Sequence, residues 1–193
     1  IEKKRMMKMK KVVDIAHDIL KNINIENGIY ADFTCGNGYD TCFLASLEKV
    51  QKVYAFDIQK EALQQSIQAV SELGYYDKCR FILDGHEHLD QYITEPLAGA
   101  IFNFGYLPHG DENVTTLLHT SRIAVQKALK QLQKHGMLIL VIYPGHDEGK
   151  KESCYFSEWV KTLDSHYYSC MGIRMENKKE SPYLLVIEKL RNQ

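Results

Sequence analysis

The stretch Ile29-Tyr30-Ala31-Asp32-Phe33-Thr34-Cys35-Gly36-Asn37-Gly38-Tyr39-Asp40-Thr41 decides how the rest of the chain is read. Ile29 to Thr34 is short, rich in β-branched and aromatic residues, and follows Asn27-Gly28, so it reads as a buried strand. Gly36-Asn37-Gly38 breaks it. Tyr39 to Leu47 then carries the apolar spacing of a helix through Phe43, Leu44 and Leu47. A strand, a glycine turn and a helix N-terminus together let backbone approach a ligand closely.

Working outward, Lys10 to Asn22 predicts an amphipathic helix with Val12, Val13, Ala16, Ile19 and Leu20 on one face, lying as a lid beside the glycine turn. Lys52 to Phe56 reads as a strand ending at Asp57, followed by a helix from Ile58-Gln59 to Ser71 that stops at Gly74. Arg80 to Leu83 and Leu97 to Phe104 are further strands. A helix over 116–134, stopped by His135-Gly136, precedes the unbroken apolar run Met137 to Tyr143, as expected for a strand buried on both faces. A helix over 155–163 and strands over 167–175 and 183–188 complete the chain.

Strands alternating with helices predict a doubly wound, mostly parallel sheet with helices on both faces. The last two strands are joined by the short polar loop Glu176 to Ser181, too short for a parallel crossover, so they pair antiparallel. At 193 residues the chain is read as one domain over 9–193, with residues 1–8 set apart as a non-native remnant or a leader.

Composition bounds the function. Net charge is −1, so no global basic field marks the chain for non-specific nucleic-acid binding, although lysines cluster locally at Lys10-Lys11, Lys150-Lys151 and Lys178-Lys179. No apolar run approaches a membrane span and no signal peptide is seen. The five cysteines include no C-x-x-C pair, which points to reduced thiols in a cytoplasmic protein and to no metal site. Cys35, inside the turn, reads as a small residue tolerated there rather than a nucleophile.

Ligands of open α/β sheets bind outside the carboxyl ends of the strands, and polar groups fall at every predicted end here. Each alone reads equally well as a helix cap. A dinucleotide turn wants G-x-G-x-x-G, but Gly36-x-Gly38-x-x is followed by Thr41. The spacing of Asp32 to Gly36 and Gly38 instead resembles the first motif of class I S-adenosylmethionine (SAM) methyltransferases. A carboxylate near the turn suits a cation better than a pyrophosphate. On that resemblance the cofactor set is Asp32, Thr34, Gly36, Asn37, Gly38, Asp40 and Thr41 around the turn. Asp57 would hold the ribose and Gln59 the ribose or the adenine edge, and Asp84, Gly85 and His86 the adenine, with Asp84 as a turn cap and His86 packed on the ring as the alternatives.

Asn103-Phe104-Gly105-Tyr106-Leu107-Pro108 resembles the [Asn/Asp]-Pro-Pro-[Tyr/Phe] motif of amino-group methyltransferases, with Gly105 in place of the first proline. In that motif a side-chain oxygen accepts from the acceptor amine and the ring packs on the substrate. Taken with Phe56-Asp57-Ile58-Gln59, Asn103 to Asp111 and Val141 to His146, the chain from about Met9 onward resembles the MnmM family of bacterial tRNA methyltransferases. The resemblance implies a single-domain Rossmann-like class I fold with a seven-stranded sheet. It also implies methylation of 5-aminomethyl-2-thiouridine at the tRNA wobble position, with the tRNA anticodon stem-loop as partner. Asn103, Tyr106, Asp111 and His146 are then the candidate catalytic residues, Asn103 also touching SAM, with Asp111 or His146 as base. Tyr106, His109, Asp111, Tyr143 and His146 would meet the base, and Lys150 and Lys151 the phosphates. A homodimer would widen that basic footprint. Two alternatives stay open: a SAM enzyme acting on rRNA or a small amine, and a SAM-binding regulator without turnover.

Overall fold

The computed structural model describes residues 9–105, 115–178 and 180–192. Among these, seven strands form one sheet: β1 (Gly28–Asp32), β2 (Val50–Asp57), β3 (Cys79–Leu83), β4 (Leu97–Phe104), β5 (Leu132–Ile142), β6 (Tyr168–Ile173) and β7 (Tyr183–Lys189), in the order β3-β2-β1-β4-β5-β7-β6. β1 to β5 are mutually parallel, and β7 runs antiparallel to both its neighbours, β5 and β6. The order reverses beside β1, where chain crossovers diverge and leave a crevice.

Among the described residues five α-helices cover the sheet: α1 (Val12–Lys21), α2 (Tyr39–Ser46), α3 (Lys60–Glu72), α4 (Leu118–Gln131) and α5 (Asp147–Trp159). Strand alternation sorts the core into two layers. Ala100, Phe102 and Phe104 of β4 point with Leu138 and Leu140 of β5 toward α4 and α5, joined by Phe33, Phe56 and Phe156. Ile101, Ile139 and Val141 point the other way, onto Ala16 and Leu20 of α1 and Leu44 of α2. Each fully buried large apolar side chain contributes roughly 1.5–3 kcal/mol, so the aromatic layer dominates. Asn103 follows Ile101 by two residues and therefore shares the α1–α2 side.

Several element boundaries differ from the sequence reading, among them the start of β5, which is Leu132 rather than Met137. α4 ends at Gln131 rather than near residue 134, because Leu132 already pairs with Leu97 of β4. His135 takes φ 65, and a Cβ at Gly136 would lie 2.7 Å from the Leu97 carbonyl oxygen, so this glycine marks a close approach inside β5. α5 starts at Asp147, not near residue 155. A Cβ at Gly149 would meet the Tyr143 carbonyl oxygen at 1.9 Å, so glycine there lets the first turn pack on the end of β5. Lys150 and Lys151 consequently belong to a helix. No described helix is long and apolar enough to cross a membrane.

Candidate active site

The turn after β1 is held from both sides. The Cys35 amide donates to the Phe56 carbonyl (2.9 Å) and the Gly36 amide to Asp57 Oδ2 (2.9 Å), tying the turn to the end of β2. Gly36 (φ 48) and Gly38 (φ 83) are both in the left-handed region. Gly38 also needs to lack a side chain, since its Cβ would lie 2.8 Å from Ser66 Cα on α3.

A cavity of about 930 Å³ opens at the carboxyl ends of β1 to β5. Thr34, Cys35, Gly36, Asn37 and Asp40 line it from the turn and α2, Asp57, Ile58 and Gln59 from the end of β2, and Asp84 and His86 from the end of β3. Asn103 and Gly105 line it after β4, and Tyr143 and His146 after β5. Val13, Thr116, Leu117, Thr120, Glu180 and Pro182 form the facing rim.

Several residues assigned to the cofactor from sequence stand behind this wall instead. Asp32 is fully buried, its oxygens taking the Thr34 amide (3.2 Å) and the Thr41 hydroxyl (2.6 Å). Burial first, and the neighbouring Asp40 charge second, raise its pKa. Thr41 is likewise buried, and neither it, Asp32 nor Gly38 lines the cavity, so all three shape the turn. Gly85 is also outside the wall; a Cβ there would crowd the Glu87 carboxylate at 2.4 Å. Asp84 reaches the cavity but also caps the turn: it accepts from the Gly85 amide (2.7 Å) and Tyr92 hydroxyl (2.7 Å) and meets His88 (2.9 Å).

Asp57 directs one oxygen to Gly36 and the other to the Gln59 amide (2.8 Å). Burial raises its pKa, and these amide donors oppose the shift. His86 sets Nδ1 3.2 Å from the Phe33 carbonyl, which can only accept, so Nδ1 carries the proton and Nε2 is an acceptor. Burial lowers its pKa, and its edge meets Phe102 with ring centroids 5.5 Å apart.

At the other end of the cavity, Asn103 donates its main-chain N–H to Thr34 Oγ1 (2.8 Å) and its side-chain Nδ2 to Asp40 Oδ2 (2.7 Å). An ionised carboxylate accepts only, so the amide must turn its NH₂ to Asp40 and keep Oδ1 as its acceptor end. Tyr143 forms a half-buried wall, and burial raises its phenol pKa. His146 caps α5, Nδ1 accepting the Gly149 amide at 3.1 Å. The neutral ring then carries its proton on Nε2, so service as a base would break the cap. Lys150 and Lys151 lie outside the cavity wall, paired along α5 with Asp147 and Glu148. Tyr106, His109 and Asp111 lie outside the described residues.

Sequence reasoning missed His17, which reaches Asp40 from α1, because it sits on an apolar helix face and reads as core. It also missed Ile58, 62% exposed on the cavity wall, where a helix start was all the pattern showed. Glu152 was silent too: fully buried on α5, it accepts from Ser121 (2.6 Å) and from Thr116 (3.1 Å) on the rim.

The described wall holds Asp40, Asp57, Asp84, Glu87 and Glu180 and no lysine or arginine. Such a wall repels phosphates and favours cations. It fits SAM, whose sulfonium and amino group are positive, with Gly36 giving backbone access and Asp57 an acceptor pair.

Comparison with known proteins agrees. The profile of a family described as "Putative rRNA methylase" matches residues 53–189. A chloroplastic "tRNA (mnm(5)s(2)U34)-methyltransferase" of Arabidopsis thaliana is 30% identical, the match covering 95% of this chain and 71% of that protein. A "putative rRNA-methylase" structure from Clostridium thermocellum superposes with TM-score 0.90 at 35% identity, over 95% of this chain and 100% of that one. A "putative methyltransferase" from Streptococcus mutans, solved in complex with SAH, gives TM-score 0.86 at 36% identity, over 95% and 100%. The cofactor is therefore SAM, and the chain belongs to this rRNA-methylase family of class I SAM-dependent methyltransferases.

Proposed function

We propose that the chain methylates the primary amine of 5-aminomethyl-(2-thio)uridine at the wobble position of tRNA. The orientation of Asn103 carries this reading. With its NH₂ engaged by Asp40, Asn103 presents a carbonyl oxygen, which accepts an N–H of an amine and so aims the nitrogen lone pair. A hydroxyl or ring-carbon acceptor has less use for that group. SAM, when bound, supplies an electrophilic methyl on its sulfonium. The acidic wall attracts the ammonium form of the acceptor, and Tyr143 gives a splayed base a flat partner. Tyr106 and Asp111 are assigned to acceptor binding and proton removal on the sequence motif alone. The relative from Arabidopsis thaliana, named for this nucleoside, supports the same substrate class.

Nucleoside mass spectrometry of tRNA from cells lacking the protein tests the reading. We expect 5-aminomethyl-2-thiouridine to accumulate and its N-methylated form to vanish. An unchanged tRNA profile accompanied by a lost rRNA methyl group would overturn it.

A further inference from the structure

His17 lies on the inward face of α1 with a side chain 11% exposed. Its ring stacks on Phe43 (centroids 3.8 Å apart, planes 2° apart) and more loosely on Tyr39 (5.1 Å). Its Nε2 lies 2.5 Å from Asp40 Oδ1, so it must donate there. Asp40 Oδ2 takes the Asn103 amide at 2.7 Å. One carboxylate thus joins a histidine on the N-terminal helix α1 to the strand-end amide facing the cavity, with one oxygen for each. Packing alone does not explain the histidine. A phenylalanine would stack as well on Phe43 without bringing a polar edge out of water. Unassisted, the Asp40 carboxylate can swing about its own side chain, and Asn103 can turn with it, exchanging its acceptor end for its donor end.

We propose that His17 is a positioning residue for methyl transfer, fixing Asp40 so that Asp40 holds the carbonyl end of Asn103 toward the acceptor. This rests on the amine-methylation reading above in naming the acceptor, but the linkage from His17 to Asn103 is a property of the protein alone. α1 then does more than cover the cavity with Val13: it sets the geometry of the reacting end.

Two substitutions separate positioning from packing. His17→Phe keeps the stack and removes the donor; His17→Gln keeps a donor and removes the stack. In single-turnover methylation of tRNA bearing 5-aminomethyl-2-thiouridine at saturating SAM, His17→Phe should slow transfer by about 10- to 100-fold, the scale of a displaced reacting geometry. His17→Gln should keep most of the rate. In an Asn103→Ala background the His17→Phe loss should disappear, because both changes act through one group. Heteronuclear NMR gives a readout that needs no substrate: the Asn103 side-chain amide should be protected from exchange in wild type and His17→Gln and lose protection in His17→Phe. Equal losses in both backgrounds, or a fast His17→Phe, would overturn the proposal. Should wild type leave this tRNA unmethylated, the substrate reading fails and the NMR comparison alone decides. Unchanged protection of Asn103 in His17→Phe then refutes the linkage.

Discussion

Asp57 is fixed by two backbone amides, from Gly36 and Gln59, which leaves further lone pairs on both oxygens for hydroxyls of a ligand in the cavity. We expect Asp57→Ala to weaken SAM binding by roughly 1.5–3 kcal/mol, the range for hydrogen bonds to a charged group. Calorimetry showing wild-type affinity would contradict the assignment. That Asp57, Asp40 and Asn103 line the cavity was legible in the sequence because each closes a strand or opens the helix after one, and the topology brings such ends together. Asp32 and Thr41 stand in the same stretch and were read alike. A sequence does not distinguish a carboxylate facing a ligand from one facing its own turn's amides, and here Thr34 and Thr41 claim Asp32. His17 was hidden for a different reason: its polar partner lies 23 residues away, on another helix.

At the scale of elements, β5 starts at Leu132, ahead of the apolar run from Met137. Most strand boundaries followed the sequence closely, since apolar runs such as Leu97 to Phe104 leave little choice. The helices flanking β5 did not. The ends of α4 and the start of α5 are decided by contacts with β4 and with the Tyr143 carbonyl, which are tertiary and leave no periodic trace. Glu152 belongs to this level as well. It joins α5 to Ser121 of α4 and to Thr116 on the cavity rim, and burial pushes its pKa up to about 7, opposed by those two hydroxyls. A carboxyl with a raised folded-state pKa keeps its proton longer in the folded than in the unfolded chain. Its contribution is full below the ordinary value of 4.5 and is lost as pH rises toward about 7. Stability should therefore fall across that window. Glu152→Gln should flatten this part of the profile, as read by urea unfolding at several pH values. An unchanged slope would show that Glu152 does not hold its proton.

For the whole molecule, the charge arrangement bears on how the proposed tRNA substrate would be met. The chain carries 24 lysines and arginines against 25 acids, and the described cavity wall contains none of the former. On the proposed function, phosphates would be met outside the cavity while the base enters it. Lys150 and Lys151 are exposed on the first turns of α5, next to His146, and their ion pairs with Asp147 and Glu148 are of the exposed kind that contributes little. Reversing both charges should weaken tRNA binding, most clearly at low salt, and leave SAM binding intact. Unchanged tRNA affinity in a filter-binding titration would remove α5 from the footprint. Amine methylation is tested with the purified protein, methyl-labelled SAM, and two tRNAs that differ only in the aminomethyl group on the wobble uridine. Label is expected on the side-chain nitrogen of the first tRNA and none on the second. Label on a ring atom, on both tRNAs alike, or on neither while SAM still binds would contradict it.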